Sequence, residues 1–369
     1  MRVLISCITY HPTVGGADDF VRSIAEGVAA ARHEVLVVAS DLQQHVAGVK
    51  LADIRPRRMN GVRIVRCQSR NMPGHVYPVW PGFFSHAKSF KPDVVHGFGL
   101  GYWSADAAAR LRSSCPVIIS PTGGRYRSGR LYGLLRASLL KDTLQADLWT
   151  ALSLDEREAL REAHPGSPRI EILSPSIVPA EWTRERLDPF PDVPRPRVLF
   201  AGRLSRDKGV FDLIEAVGLA RRTCEARLLI VGPDYGAGEL PPSDGVHYAG
   251  ELDREKLVAA YQHCDLLVLP SYHEGFGIVL LEAGAAGKPV IAYDNSSMPE
   301  LCRHNENGLL VETGSVEALG SAIASLLSNP SLAGRMGARG REIAFRDYSR
   351  SAMVERVLGY YKEALGRMS

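Results

Sequence analysis

The sequence predicts an α/β protein made of two doubly wound domains, each built on a parallel β-sheet. Short apolar runs of strand length alternate with amphipathic helix patterns in both halves of the chain, which is typical of parallel sheets covered by helices. The chain has 369 residues, more than one hydrophobic core usually serves. Four prolines between residues 189 and 196 cannot continue a helix or a central strand, so this segment is predicted to be the linker.

Each half contains a series of strand patterns that end in glycine or polar residues. In the first half the predicted strands are residues 2–8, 34–40, 62–67, 92–97 and 116–120, with a helix pattern over 17–31. After the linker they are residues 197–201, 227–232, 246–250, 265–270 and 288–293. The predicted domains are therefore residues 1–190 and 191–348. The amphipathic segment 349–369 is predicted to pack back across the hinge, and two hinged domains would form a ligand cleft.

Composition excludes several classes of protein. The net charge of +3 does not favour a nucleic-acid partner. A small surplus of Lys and Arg in residues 1–190 favours a phosphorylated acceptor or an anionic membrane surface, unless it is an ordinary solvated face. The six cysteines include no Cys-x-x-Cys pair and fit buried thiols in a reducing cytoplasm. No apolar run approaches the roughly 18 residues of a membrane span, and no signal peptide is recognisable. We expect a cytoplasmic protein, with the inner face of the plasma membrane as the alternative.

The segment 271–287 carries Glu274, the turn Gly275-Phe276-Gly277 and Glu282 between two predicted strands. Glycines let backbone N–H groups approach a ligand, and a helix beginning near Gly277 adds its positive end. A plain tight turn is the alternative. Glu282 falls on a helix pattern that is apolar nearly all round, so burial is predicted, and a buried carboxylate needs partners. A vicinal diol such as a ribose can donate two hydrogen bonds to it; the alternative is a glutamate on a narrow exposed stripe.

Arg203 and Lys208 lie between a predicted strand and the helix that follows it. A diphosphate suits such a pair, a forked guanidinium and a compact ammonium at the carboxyl edge of a sheet. The alternative is two surface charges at a helix start, where the helix dipole disfavours cations.

The first half offers weaker candidates at the ends of its predicted strands. Gly15-Gly16 can cradle a phosphate or allow a tight turn, and His96 is either a catalytic group or a core histidine. Thr122 and Gly123, followed by Arg125 and Arg127, form a segment that can hold an acceptor phosphate or be a solvated helix face. The sequence contains neither a Walker A loop nor a zincin motif, and no Asp-x-Asp occurs, so a metal-bridged sugar nucleotide is not favoured.

Taken together these residues resemble the retaining glycosyltransferases of family four, which have the GT-B fold of two Rossmann-like domains facing across a cleft. The most specific part is the glutamate–seven residues–glutamate element over 274–282. The remaining matches are Gly15-Gly16, Gly202-Arg203, Lys208-Gly209, residues 287–292, Pro299-Glu300 and residues 307–310.

The resemblance implies a role for each matching residue. Arg203 and Lys208 would stabilise the leaving diphosphate, Glu282 would bind the donor ribose, and Glu274 with the amides of residues 275–277 would hold the transferred sugar. The implied donor site also includes Gly15, Gly16, Gly202, Gly232, Leu252, Ile278 and Val279, with Gly232 and Leu252 lining the base pocket. Such enzymes are metal-independent, need no cofactor, and move a hexose from a nucleotide sugar, here a UDP-sugar in preference to a GDP-sugar. The acceptor would be a hydroxyl, lipid- or phosphate-linked among the alternatives, in polysaccharide, glycolipid or natural-product glycoside synthesis.

Two departures from the family pattern keep alternatives open. Phe98 stands where many members have a second, sugar-contacting histidine, and residues 172–177 lack the Asn-Gly that is common there. The first departure puts the catalytic role of His96 in question. The other hypotheses are a nucleotide-sugar 2-epimerase of similar architecture and a non-catalytic nucleotide-sugar-binding partner.

Overall fold

The computed structural model describes residues 1–13, 15–44, 49–71, 78–122, 142–234 and 244–367. The chain divides into two compact units, one formed by Met1–Ser176 with Arg350–Ser369 and the other by Ile177–Ser349. Both units alternate strands and helices, and both are built on mainly parallel sheets, which confirms the predicted α/β class.

The strands are numbered here in chain order. In the first unit they are β1 Arg2–Cys7, β2 Glu34–Ser40, β3 Leu42–Gln44, β4 Val49–Lys50, β5 Arg57–Met59, β6 Val62–Cys67, β7 Arg70–Asn71, β8 Pro78–Val79, β9 Val94–Phe98, β10 Val117–Ser120, β11 Leu148–Ala151 and β12 Ile170–Ile172. In the second unit they are β13 Arg197–Ala201, β14 Arg227–Val231, β15 Val246–Gly250, β16 Leu266–Leu269, β17 Val290–Tyr293 and β18 Gly308–Val311.

The helices of the described residues are numbered in the same way. They are α1 Gly16–Ala30, α2 Gly82–Phe90, α3 Trp103–Ala109, α4 Leu154–Ala163, α5 Pro179–Thr183, α6 Val210–Ala220, α7 Arg254–His263, α8 Ile278–Ala285, α9 Met298–Leu301, α10 Val316–Leu327, α11 Pro330–Asp347 and α12 Arg350–Gly366. A short 3-10 turn, Arg206–Lys208, precedes α6.

The main sheet of the first unit has the strand order β12-β11-β10-β9-β1-β2-β6-β5. All neighbours are parallel except β5 and β6, and two small antiparallel pairs, β3 with β4 and β7 with β8, lie outside this sheet. The central strands are continuous apolar runs because helices cover both faces of the sheet. The order reverses at β1, which lies between β2 and β9, so the carboxyl ends of β1 and β9 form a switch point, the usual ligand position in such sheets.

The C-terminal helix α12 belongs to the first unit and packs on α1. Val354 lies so close to Gly27 that a β-carbon there would come within 2.2 Å of it, so a side chain at residue 27 would separate the two helices. Val354, Val357 and Tyr361 join the core cluster on the α1 face of the sheet.

Residues 177–190, which the sequence placed before the linker, lie in the second unit. Trp182 is 1% exposed and packs edge-on against Tyr261, with ring centroids 5.6 Å apart. Asp188 accepts hydrogen bonds at 2.8 and 2.9 Å from Arg197, the first residue of β13. Because Trp182 packs on Tyr261 and Asp188 pairs with Arg197, these residues are attached to the second unit. The unit boundary therefore lies at residue 177, ahead of the prolines.

The second unit has the six-stranded parallel order β15-β14-β13-β16-β17-β18. The chain runs outward from β13 to β15 on one side, then returns to β16 and runs outward to β18 on the other. The order therefore reverses between β13 and β16, which pair in parallel through Val198 with Leu266 and Leu199 with Leu267. This switch point positions the loops that follow the two strands side by side at one edge of the sheet.

Candidate functional site

An ion pair joins the two loops at the switch point of the second unit. Lys208 follows β13 and Glu274 follows β16, and the Lys208 Nζ donates to the Glu274 Oε1 at 2.6 Å. Each side chain is 14% exposed, so the pair is largely withdrawn from solvent yet reachable. A cation and a carboxylate predicted from separate motifs are thus brought into direct contact.

Backbone packing fixes the loop that carries Lys208. Gly209 ends the 3-10 turn with φ of 67°, and a β-carbon there would come within 1.9 Å of the Pro270 carbonyl oxygen. Only glycine meets both demands without strain. The Tyr272 amide also donates to the Asp207 carbonyl oxygen at 2.9 Å, so the loops after β13 and β16 are tied together at two points.

Glu274 is held by neighbouring hydroxyl groups. The Ser271 hydroxyl donates to its Oε1 at 2.9 Å, and its own amide donates to the Ser296 hydroxyl oxygen at 3.0 Å. The Ser297 hydroxyl donates to the Glu274 carbonyl oxygen at 3.0 Å. Hydrogen bonds within the protein therefore orient both the side chain and the backbone of Glu274.

The turn after Glu274 leads directly into helix α8. Gly277 is the residue before the helix and has φ of 78°, and Phe276 is buried beside Tyr348, with ring centroids 5.8 Å apart. Ile278 and Val279 are half-buried in the first turn. The first-turn N–H groups and the positive end of the α8 dipole therefore lie next to Glu274, an arrangement that suits an electron-rich ligand.

Glu282 is buried one turn further along α8, at 7% exposure, as the apolar helix pattern predicts. Its Oε1 accepts a short hydrogen bond from Arg254 Nη1, and its Oε2 accepts one from the Tyr261 hydroxyl at 2.9 Å. Burial, together with the charge of Glu282, raises the pKa of Tyr261 well above its usual value, so the phenol stays protonated and donates. Burial opposes the charge of Arg254, but the hydrogen bonds that it donates to Glu181 and the charge of Glu282 outweigh this and raise the pKa of Arg254. The carboxylate thus has the partners that its burial requires.

The other predicted donor residues surround the ends of β13, β14 and β15. Arg203 is exposed on the loop after β13. Gly232, at the end of β14, lies against Gly202, because a β-carbon on Gly232 would come within 1.9 Å of the Gly202 carbonyl oxygen. Tyr248 donates from its hydroxyl to the Gly232 carbonyl oxygen at 3.0 Å, and Leu252 is half-buried just after β15.

His96 is part of the core of the first unit. It has no exposed surface, its Nδ1 is 2.8 Å from the Tyr361 hydroxyl, and its Nε2 is 2.7 Å from the Ser120 hydroxyl. Its ring stacks on Phe98 with centroids 4.2 Å apart. Burial lowers the pKa of His96 to about 3, so the ring is neutral at physiological pH. Both nitrogens have protein partners in this arrangement, and a catalytic role for His96 stays a prediction.

The remaining first-unit candidates are only partly within the described residues. Gly15 and Gly16 connect the loop after β1 to helix α1, where Asp18 accepts a hydrogen bond from the Thr9 hydroxyl at 2.6 Å. Burial raises the pKa of that carboxyl. Thr122 follows β10 with φ of 60°, whereas Gly123, Arg125 and Arg127 lie outside the described residues.

Sequence reasoning missed the side chains that hold the two glutamates. Arg254 and Tyr261 are seven residues apart, so they lie on one face of α7, and this spacing is the signal that was available. Ser271 directly follows the predicted strand 265–270 and begins the segment 271–287, but the sequence pattern indicates no role for it. Within the described ranges, no three His, Cys, Asp or Glu side chains are grouped so that they could hold a metal ion. In those same ranges, no helix is both long enough and apolar enough to cross a membrane.

Comparisons with known proteins agree with this architecture. The family model described as "Glycosyl transferases group 1" matches residues 184–343, and the one described as "Glycosyl transferase 4-like domain" matches residues 15–176. A GDP-mannose-dependent alpha-mannosyltransferase of Mycolicibacterium smegmatis is 31% identical, over 100% of this chain and 99% of its own. A glycogen synthase of Mycobacterium tuberculosis is 26% identical, over 94% of this chain and 91% of its own. Among solved structures, sucrose-phosphate synthase from Thermosynechococcus elongatus matches 99% of both chains with a TM-score of 0.77 at 21% identity. The chain therefore belongs to the group 1 glycosyltransferases of family four and is a glycosyltransferase of the GT-B fold.

Proposed function

We propose that this glycosyltransferase moves a hexosyl group from a nucleoside-diphosphate sugar to a hydroxyl acceptor, with retention of the anomeric configuration. The observation that carries the proposal is the contact between Lys208 and Glu274 at the switch point of the second unit, with the N-terminus of α8 beside it. A cation, a carboxylate and the backbone N–H groups of a helix N-terminus at one sheet edge match the diphosphate and sugar of such a donor.

Each part of the donor has a candidate partner among these groups. The ammonium of Lys208 has two N–H groups beyond the one given to Glu274, and Arg203 adds a forked guanidinium on the same loop. Glu274 and the amides of residues 275–277 would take the hydroxyl groups of the hexose. Glu282 lies about 6 Å further along the helix axis from Ile278, at the rise of 1.5 Å per residue, and would take the ribose. Gly232 and Leu252 would border the base.

Catalysis in this proposal is mainly electrostatic. Negative charge develops on the diphosphate as the glycosidic bond breaks, and cations already held in place stabilise that charge without reorganisation. Lys208 and Arg203 supply this charge from the protein, so we expect turnover without a divalent metal and without a bound cofactor. The departing phosphate can then accept the proton of the attacking hydroxyl.

The base of the donor is the part that the sequence defines least. A UDP-hexose is our first expectation, whereas the mycobacterial relative named above is described as GDP-mannose-dependent. The acceptor would be a hydroxyl compound, with lipid-linked and phosphate-bearing sugars as the first candidates because residues 1–190 have a basic surplus. Peripheral association with the inner face of the plasma membrane belongs to the same proposal.

A thermal-shift screen of UDP- and GDP-sugars tests the donor, because a ligand that binds the native state raises the unfolding midpoint. Each hit is then incubated with a panel of hydroxyl acceptors, and the anomeric configuration of the product is read by NMR. Transfer with retention supports the proposal. No shift with any nucleotide sugar, or release of an epimer without acceptor, contradicts it.

A further inference from the structure

Arg254, on helix α7, lies between two carboxylates of the second unit. Its Nη1 donates to Glu282, while its Nε and Nη2 donate to the two carboxylate oxygens of Glu181 at 2.8 and 3.0 Å. The guanidinium also lies over the ring of Trp182, 5.2 Å from its centroid. The two hydrogen bonds to Glu181 hold one edge of the guanidinium, and the Trp182 ring packs against its face. Together they give the guanidinium one orientation, which also fixes its contact with Glu282.

The contacts of Glu282 leave a specific acceptor capacity. A carboxylate offers about four acceptor positions, two on each oxygen. Arg254 occupies one position on Oε1 and the Tyr261 hydroxyl occupies one on Oε2. Counting the partners within the described part of the chain, one position on each oxygen is left, and the two hydroxyl groups of a cis-diol can donate one hydrogen bond to each.

Arg254 also supplies the opposite charge beside this carboxylate. The Glu282 side chain is 10% exposed, and burying a carboxylate is costly unless a cation or hydrogen-bond donors lie next to it. Glu181 is a second carboxylate in the same cluster, and Arg254 lies between it and Glu282.

We propose that Arg254 is a positioning residue that holds the carboxylate of Glu282 in the orientation that binds the ribose 2′- and 3′-hydroxyl groups of the donor nucleotide. The inference rests on the proposed function, in which Glu282 binds the ribose. It adds that the preference of this enzyme for ribonucleotides over 2′-deoxyribonucleotides depends on Arg254, a residue that does not itself contact the nucleotide. A merely structural ion pair would change the stability of the protein but not this preference.

The test is calorimetric titration of the full-length protein with UDP, 2′-deoxy-UDP, GDP and 2′-deoxy-GDP. The variants are Arg254→Ala, Arg254→Lys and, as a matched control, Arg339→Ala, because Arg339 also bridges two glutamates, Glu306 and Glu342, on the surface of the same unit. For the base that binds, wild type is expected to prefer the ribonucleotide by about tenfold, the usual size of one hydrogen bond to a charged group. Arg254→Ala is expected to lose affinity for the ribonucleotide and to bring the ratio near one. Arg254→Lys, which keeps the charge, should recover part of the ratio, and Arg339→Ala should keep all of it.

The outcomes separate this inference from the proposed function. If wild type prefers the ribonucleotide and Arg254→Ala keeps the same ratio, Arg254 does not position Glu282 and the inference is overturned while the proposed function stands. If wild type binds nucleoside diphosphates without any ribose preference, the ribose role of Glu282 and the inference both fail. If wild type binds neither UDP nor GDP, the proposal of a UDP- or GDP-sugar donor is overturned, and the inference falls with it. Should Arg254→Ala not fold, the ratio measured for Arg254→Lys decides, and an unchanged wild-type ratio there overturns the inference.

Discussion

The Nζ of Lys208 and the Oε1 of Glu274 are 2.6 Å apart, although the two residues belong to loops 66 positions apart in the chain. The parallel pairing of β13 with β16 places both loops at one edge of the sheet, and the close approach of Gly209 to Pro270 aligns them. If Lys208 and Glu274 bind the donor as proposed, its diphosphate and its sugar would lie side by side at this edge of the sheet.

Replacing Lys208 with alanine is expected to lower turnover far more than stability. If its ammonium stabilises the leaving diphosphate, its loss should reduce kcat at saturating donor by on the order of 100- to 1000-fold, as for other preorganised charge-stabilising groups. Steady-state kinetics with saturating nucleotide sugar measure the effect. Lys256→Ala, at a 63% exposed lysine of the same unit, is the control and should keep wild-type kcat. Turnover of Lys208→Ala close to that of the control would remove Lys208 from the site.

Replacing Glu282 with glutamine is expected to weaken nucleotide binding and also to destabilise the second unit. The amide keeps the shape of the side chain, but it carries no charge for Arg254 and presents an N–H₂ group to one of its two donors. We expect at least a tenfold rise in the Kd for the nucleoside diphosphate, which corresponds to about 1.4 kcal/mol. Isothermal calorimetry measures it, with Glu306→Gln, a surface glutamate paired with Arg339, as the control. An unchanged Kd would contradict the ribose role.

The two glutamates illustrate what the sequence can and cannot predict. The burial of Glu282 follows from the apolar residues around it on α8, which is local information. The spacing of Arg254 and Tyr261 indicates only that they share a helix face; it does not pair them with Glu282, since Arg254 is 28 residues away in the chain and Glu181, which holds Arg254, is 73 residues from it. The strand patterns predicted the parallel sheets and therefore the loops at the switch points, but side-chain pairing across elements depends on the packed structure.

His96 shows the same limit in the first unit. The sequence predicts that it ends a strand, whereas β9 continues to Phe98 and His96 is its middle residue. Its hydroxyl partner Tyr361 lies 265 residues later, on the C-terminal helix, and closes over the imidazole. The strand pattern therefore does not by itself distinguish an accessible histidine from a core histidine.

The stability of the protein is expected to fall on acidification partly because of His96. In the folded protein burial lowers its pKa to about 3, whereas in the unfolded chain the value is near 6.5. Between these two pH values the unfolded chain binds a proton here and the folded chain does not. The free energy of unfolding therefore falls as the pH falls from 6.5, by up to about 1.4 kcal/mol per pH unit from this one group, and this loss is absent above pH 6.5.

Urea denaturation of wild type and His96→Gln between pH 7 and pH 4.5 measures this contribution. The variant should show a shallower loss of stability with falling pH, even though it is less stable at pH 7. NMR titration of the His96 imidazole gives an independent check in the wild-type protein. A titration midpoint near pH 6.5 for the His96 imidazole would show that this ring is not buried and neutral.

Gly209 aligns the loops that follow β13 and β16. Gly209→Ala places a methyl group within 1.9 Å of the Pro270 carbonyl oxygen and forces a φ of 67° on a residue with a β-carbon. We expect a loss of about 1–3 kcal/mol from the backbone conformation alone, and more from the clash. Because the loop of Lys208 must move away from Pro270, the contact with Glu274 should lengthen and turnover should fall with stability.

Gly218→Ala is the matched control, because Gly218 lies exposed inside helix α6 with no neighbour among the described residues within 4 Å of an added β-carbon. There alanine should raise the free energy of unfolding by about 0.5–1 kcal/mol and leave turnover unchanged. Urea denaturation and donor-saturated kinetics on both variants check the pair, and equal stability of the two would show that the two loops do not need this close approach.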